Sequence, residues 1–403
     1  MSIVGNATSI VKTLKEHGFT AYFAGGYVRD LIMGRHSFDV DIATNATPDD
    51  IAKIFPRTLL VGAKFGVAIV MQKGHHYEIA TFRKDENYQD GRHPENIIFS
   101  DAQDDAQRRD FTINGMFFDP LDNIVLDFVG GKEDLNKKII RAIGDPAERF
   151  SEDKLRMLRA VRFAYRFDFV IEDSTKDAIY KHSSSLLPSV SVERVLQEFD
   201  KMSKEPSFHL ALISMFELQL LQTIFPELKK IDLDELKRRV DPLKDYPSDT
   251  DTFLKLTQLF NDKSLEDLLE IGRFLKTTNE SLKTIEYYHE AKKYFLNPET
   301  VSLWQWAHIY CHPRFHMILH VFQAHLELHL RKTFISDHET RYEYLKEDIK
   351  RIQSKIPVVN SSHLKEKGIK PGPLMGKLLK EAEQISINER LHHYEDVIKR
   401  LQF

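Results

Sequence analysis

Asp39 and Asp41 stand two positions apart in FDVDIAT, and on a strand that spacing puts both carboxylates on one face, close enough to share divalent cations. Glu78, in the candidate strand YEIATF, offers a third acid to complete the ligand set. Hard oxygen ligands of this kind suit a two-metal in-line displacement at a phosphate, with Mg²⁺ as the cation. One ion activates an attacking hydroxyl, and the other orients a triphosphate and offsets charge on the leaving pyrophosphate. Taken alone, Asp39 and Asp41 also fit a solvated strand face. The Gly25-Gly26 turn before them, Thr44 after them and Glu78 favour the chemical reading.

Gly25 and Gly26 precede a predicted helix start with Arg29 and Asp30 in its first turns. Without Cβ atoms, their backbone N–H groups can approach a phosphate, and the helix end adds a favourable dipole. RRDFTINGM is the next cluster. Read as a helix, it puts Asp110 and Asn114 on one face at i, i+4 with Arg108 and Arg109 near its start. That face suits ribose hydroxyls, and Arg108 suits phosphate. In EDKLRMLR, Glu152 and Asp153 lie four and three residues before Arg156, so a helix-stabilising ion pair is the plain reading. A carboxylate beside a guanidinium also complements cytosine and adenine, which both present an exocyclic amino donor beside a ring-nitrogen acceptor. Guanine and uracil would oppose an acceptor with an acceptor. Arg159, one turn beyond Arg156, can reach a triphosphate, whereas Arg162 and Arg166 line an RNA path or face water.

These groups need a mixed scaffold. MSIVGNATSIVKTLKEHGF reads as an amphipathic helix, AYFAGG as a strand entering a glycine turn, and YVRDLIMG as a short helix closed by Gly34. FGVAIVMQ and YEIATF read as strands joined through KGHH. RKDENYQDGRHPENIIFSDAQ is polar and reads as including a loop. From Ser151, a plausible N-cap, the character turns helical, and everything from Ser191 to Phe403 reads as successive helices. The expected fold class is therefore α+β.

The matching segments, in order, resemble the class II branch of the tRNA nucleotidyltransferase and poly(A) polymerase family. GGYVRDLIMG with DVDIAT resembles its motif A, RRDFTINGM motif B, DPLDNIVLDFVGGKEDL motif C, EDKLRMLRAVRF motif D, and SVERVLQEF, with Arg194 and Glu198, the helix-stabilising motif E. The likeness is close over roughly Phe19 to Arg166 and looser beyond. It implies a palm-like head with a small mixed sheet (1–145), a helical neck that recognises the base (146–210), a helical body (211–335) and a tRNA-binding helical tail (336–403). It also implies metal ligation by Asp39 and Asp41, ribose recognition involving Asp110, base recognition by Asp153 and Arg156, and structural support from Glu152, Arg194 and Glu198. YQDGRHPENIIF resembles the flexible loop that helps the pocket change from CTP to ATP, and GIKPGPLMGKLLKEAE resembles the tail region. Gly115 departs from the pattern, standing where alanine is frequent.

The implied reaction is template-independent addition of CMP, CMP and AMP from CTP and ATP to the 3′ end of tRNA, gripped by its acceptor arm. The rivals are a poly(A) polymerase, an enzyme that adds only the terminal A, and an inactive RNA-binding protein of the same fold. Bulk properties agree with local rather than global RNA contact, since 57 Lys and Arg face 61 Asp and Glu. The single cysteine excludes a disulfide scaffold and fits a reducing cytoplasm. No apolar run reaches the roughly 20 residues a membrane span needs, and no protein partner is required. His316 with His320 and His325 with His329 have metal-ligand spacing, but apolar neighbours favour packed or hydrogen-bonded histidines. Tyr27 and Phe82 are the aromatics nearest the expected cleft.

Overall fold

The computed structural model describes residues 2–62, 65–88 and 94–402. It divides into two compact units, Met1–Lys237 and Arg238–Phe403. In the first unit, α1 (Ile3–Glu16) buries Ala7, Ile10, Val11 and Leu14, the i, i+3, i+4, i+7 face of an amphipathic helix. There follow β1 (Ala21–Ala24), α2 (Gly26–Ile32), β2 (Asp41–Thr44), α3 (Pro48–Ile54), β3 (Thr58–Gly62), β4 (Val67–Gln72) and β5 (His75–Thr81). Next come β6 (Arg83–Tyr88), β7 (Pro94–Phe99), α4 (Ala102–Gln107), β8 (Phe117–Asp119), β9 (Ile124–Leu126) and α5 (Gly131–Lys137). The helices α6 (Pro146–Glu152), α7 (Leu155–Phe167), α8 (Asp173–His182), α9 (Leu186–Ser189) and α10 (Val192–Met202) then pack together.

Seven strands form one sheet in the order β3-β4-β5-β2-β1-β8-β9, with β2 and β5 parallel. The fold is α+β. The turn between β4 and β5 is Lys73-Gly74, both at positive φ, the geometry that matches strand twist in a two-residue hairpin. His75 and His76, expected in that turn, instead open β5. The polar stretch after β5 is more ordered than expected, because β6 and β7 pair antiparallel as a separate ribbon. Positions 89–93, at the centre of the segment likened to a flexible loop, lie outside the described residues.

Among the described residues every regular element after Ser191 is helical. In the second unit Val359, Leu364, Met375, Leu378 and Ala382 share a core with Val397, Ile398 and Leu401. Leu374 is exposed, whereas its neighbour Met375 is buried. No described helix is long and apolar enough to cross a membrane.

Candidate active site

The RRDFTINGM segment is not the helix its pattern predicts. α4 ends before it, Phe111 is extended, and Thr112–Asn114 form a single 3-10 turn. Asp110 and Asn114 meet nevertheless, with Asn114 Nδ2 donating to Asp110 Oδ1 at 3.0 Å. Asp110 also accepts from its neighbour's backbone, Phe111 N, at 2.8 Å and from Arg159 Nε at 2.8 Å. Burial opposes the charge on Asp110, but Arg159, Asn114 and Arg156 outweigh it and bring its pKa down to about 2. Asn114 Oδ1 in turn accepts from Arg29 Nη1 at 2.6 Å, while Arg29 Nε donates to Asp30 at 2.9 Å. Arg29 is only 4% exposed, so its guanidinium serves this network across the back of the site.

Arg108 and Arg109 sit past the end of α4, not at a helix start. Both are held by Asp105, whose side chain is 1% exposed. Arg108 Nη2 reaches Oδ1 at 2.7 Å and Arg109 Nη2 reaches Oδ2 at 2.9 Å. Burial works against this carboxylate, yet Arg109 and Arg108 keep its pKa below the usual range. Sequence reasoning missed Asp105, although its i, i+3 and i, i+4 spacing to the two arginines was available. Gly25, at φ 63°, lies against the same group: a Cβ there would meet Arg109 Nη1 at 3.0 Å.

A second correction concerns Ser151, which lies inside α6 instead of capping a helix. Asp145 is the N-cap, accepting from Ala147 N at 2.7 Å. The chain then breaks at Asp153, which has extended φ/ψ. This break separates the two members of the expected base-reading pair from each other's hydrogen bonds. Asp153 Oδ2 accepts from Arg194 Nη2 at 2.9 Å, and its Oδ1 accepts from Leu155 N at 3.0 Å. Arg156 is fixed separately, donating to Glu152 Oε2 at 2.5 Å, Arg149 O at 3.0 Å and Arg108 O at 3.0 Å. Arg162, expected to line an RNA path or face water, is buried, with Nε 2.6 Å from Glu198 Oε2.

At the acidic end, Asp41 opens β2 whereas Asp39 precedes the strand. β2 and β5 pair Ile42 with Ile79, so Asp41 and Glu78 occupy the preceding step of each strand. Tyr77 and Ile79 are buried and Glu78 is exposed, as strand alternation requires. Asp41 keeps an exposed surface, but the surrounding protein limits its hydration. The charges of Glu78 and Asp39 add to that effect and push its pKa up to about 6, with Arg109 pulling the other way. Among the described residues, no group of three or more His, Cys, Asp or Glu is gathered as a metal cage.

A cavity of about 390 Å³ joins these parts. Gly25, Gly26, Arg29, Asp41, Arg108, Asp110 and Asn114 line it. Asp153, Arg156 and Arg159 complete the set foreseen from sequence. Asp39 and Glu78 act on Asp41 from outside the lining; Glu152 and Arg194 are bonded to the lining residues Arg156 and Asp153, whereas Glu198 is bonded to Arg162, outside it. Two further residues line the cavity, Arg109 and Phe163. Phe163 continues the i, i+3, i+7 row from Arg156 and Arg159, a signal that its apolar character concealed. Phe82 belongs instead to the sheet core with Ala24, Ala43, Ala106 and Phe117, and Tyr27 is buried against Phe23.

His316, His320, His325 and His329, expected to be packed or hydrogen-bonded, are all exposed; His316 lies against Tyr342, His320 Nδ1 lies 3.1 Å from Gln323 Oε1, and His329 Nδ1 lies 3.4 Å from Glu327. His338 Nδ1 lies 2.8 Å from the Tyr310 hydroxyl. His325 Nε2 lies 2.7 Å from that of Tyr246, and His308 Nε2 lies 2.9 Å from Glu383.

Comparison with known proteins follows the same lines. Residues 21–141 match the family described as the Poly A polymerase head domain. Residues 168–232 match the one described as the probable RNA and SrmB-binding site of polymerase A. The chain is 43% identical over 219 residues to the CCA-adding enzyme of Lactobacillus helveticus, a stretch that covers 54% of either chain; it thus spans about half the length of that relative. To the CCA-adding enzyme of Streptococcus suis it is 33% identical over 398 residues, covering 97% of this chain and 94% of the other. Its structure is similar to that of the Bacillus stearothermophilus CCA-adding enzyme in complex with CTP, with a TM-score of 0.80, 28% identity and coverage of 99% and 98%.

Proposed function

The chain belongs to the CCA-adding enzyme family, and on that premise we propose that it adds CMP, CMP and AMP in turn to the 3′ end of tRNA from CTP and ATP, releasing pyrophosphate. One observation carries the reading. Asp153 and Arg156 line the same cavity, and each is held by a partner of its own, Arg194 for the acid and Glu152 for the guanidinium. Neither group is consumed by the other. An acceptor and a donor are thus offered together to an incoming base, matching the amino group and ring nitrogen shared by cytosine and adenine. A base that opposes acceptor to acceptor leaves a polar group unpaired at about 1–3 kcal/mol, enough for useful discrimination.

The remaining residues divide by charge. Asp110, ionised down to about pH 2, is the acceptor for ribose hydroxyls, a contact that must share an oxygen with Asn114 or Arg159. Arg108 and Arg109, together with the backbone at Gly25 and Gly26, face the triphosphate. Arg29 and Arg159 act chiefly by fixing Asn114 and Asp110.

Asp39 and Asp41 are the proposed ligands of Mg²⁺, two ions in the reacting complex, with Glu78 in support. The donors fit such a cation, because they are hard oxygens and because burial, with the charges of Glu78 and Asp39 added to it, raises the pKa of Asp41 where no cation compensates it. Mg²⁺ characteristically takes only one or two carboxylates and completes its sphere with water and substrate phosphates, so a protein cage is not required. The chemistry the metal supplies when bound is activation of the RNA 3′-hydroxyl and neutralisation of phosphate charge. We assign the head, neck, body and tail to 1–145, 146–210, 211–335 and 336–403, and place the reaction in the cytoplasm.

Single-nucleotide incorporation tests the reading. On tRNA ending before CCA, after C or after CC, each nucleotide supplied alone should give CMP, CMP and AMP respectively. AMP addition only after CC would indicate an enzyme restricted to the terminal A, and long A tails on unrelated RNAs would indicate a poly(A) polymerase.

A further inference from the structure

The second unit contains a cavity of about 450 Å³ distinct from the one above. Lys263, Lys292 and Lys293 line it, with His289, Gln258 and Tyr288. Among the described residues no carboxylate lines it, and these three lysines make no ion pair there. Gln258 is 4% exposed and Tyr288 8% exposed. Among the described residues neither side chain has a hydrogen-bond partner, and neither holds a fully enclosed unbonded atom, so the Gln258 amide and the Tyr288 hydroxyl are left open to the cavity that they line. Burial first, and then Lys293 and Lys292, depress the pKa of His289, as a field of uncompensated positive charge requires.

Helical spacing explains how the cations converge. Ile285, Tyr288, His289, Lys292 and Leu296 recur along one face of the helix Asn279–Leu296. Gln258 lies on the short 3-10 turn Thr257–Phe260. The apolar members, Ile285 and Leu296 with Leu268, give the cavity a greasy wall beside its cationic one. This combination suits a phosphate carried on a sugar or base.

We propose that this cavity binds the phosphate of a nucleotide unit, with Lys292 and Lys293 neutralising it and Gln258 and Tyr288 donating hydrogen bonds, and that its occupant is a backbone phosphate of the bound RNA. The proposal rests on the RNA-directed reading above for the source of the phosphate, while the chemistry of the cavity stands by itself.

The test uses the full chain and tRNA lacking its terminal CCA, with binding followed by fluorescence anisotropy over a range of salt. The double variant Lys292→Gln, Lys293→Gln should bind roughly tenfold more weakly and with a log–log salt slope shallower by about 1 to 2. Gln258→Met keeps the charge and should weaken binding roughly fivefold, with its salt slope unchanged. Inorganic phosphate and CMP are titrated separately while the His289 ring signals are followed by NMR. Movement of those signals in the wild type but not in the double variant, with RNA affinity intact, would support the phosphate site and assign it to a free ligand. Unchanged RNA affinity in both variants together with immobile His289 signals would overturn the proposal. CMP incorporation at saturating tRNA should stay within about twofold of wild type in both variants, because neither touches the catalytic cavity. Absence of incorporation in the wild type would instead remove the enzymatic reading and leave the phosphate test intact.

Discussion

Arg194 Nη2 donates to Asp153 Oδ2 at 2.9 Å across 41 positions of sequence, tying α10 to the break between α6 and α7. The acid proposed to read the base is therefore aimed by a residue that does not line the cavity. We expect Arg194→Ala to lower discrimination of CTP and ATP against UTP and GTP by roughly tenfold, the worth of one charge-assisted hydrogen bond. Arg194→Lys should recover part of it, since a lysine carries the charge without the planar fork. Ratios of kcat/KM across the four nucleotides provide the measurement. Equal loss for all four would assign Arg194 to stability alone.

Asp105 anchors two arginines from a nearly closed position. Removing one partner of such a cluster leaves buried charge uncompensated, so Asp105→Asn should destabilise the first unit by about 3 kcal/mol. Activity should fall as Arg108 and Arg109 lose their anchor. The exposed neighbour Asp104 is the control. Urea unfolding of Asp105→Asn and Asp104→Asn distinguishes them.

Much of the cavity lining was legible because its residue types stand at short spacing, as with Gly25 and Gly26 or Asp153 and Arg156. What was hidden depended on contacts distant in sequence or on rules that the site violates. Asp110 and Asn114 meet, but through a 3-10 turn instead of the α-helix that i, i+4 spacing suggests. The break at Asp153 is invisible in a run that reads as one helix, because the force that stabilises it comes partly from Arg194, far along the chain. Asp105 and Arg162 were misjudged because charged residues are usually exposed unless paired, and pairing is a tertiary fact. β6 and β7 escaped because a polar ribbon lacks the apolar alternation by which strands are recognised.

Gly115 is explained by packing. A Cβ there would stand 2.7 Å from Val129 Cγ2 and 3.0 Å from Ile143 Cδ1. Its φ of −91° suits any residue, so the cost of Gly115→Ala is steric. We expect a loss of about 1–3 kcal/mol, partly recovered in the double variant Gly115→Ala, Val129→Ala. Thermal denaturation of both variants tests this, and an unchanged midpoint in the single variant would remove the packing account.

His338 contributes to the acid response of the second unit beside His325, whose pKa is likewise lowered to about 4 by desolvation of its ring. Burial, and then Arg341, lowers its pKa from 6.5 to about 4. Above pH 6.5 the ring is neutral whether the chain is folded or not; as pH falls, the unfolded chain takes up the proton first. Stability should be lost between pH 6.5 and about 4, with His338 contributing about 3 kcal/mol of the loss. Both tryptophans, Trp304 and Trp306, lie in this unit, so their fluorescence reports its unfolding. In His338→Phe that part of the pH dependence should vanish.

The most direct measurement is extension of tRNA lacking CCA by the purified chain with Mg²⁺, CTP and ATP together, resolved at single-nucleotide length beside the Asp41→Ala variant. A product ladder that stops after three additions, and is absent with Asp41→Ala although tRNA binding persists, is the expected result. Continued A addition, or an intact ladder with Asp41→Ala, would contradict it.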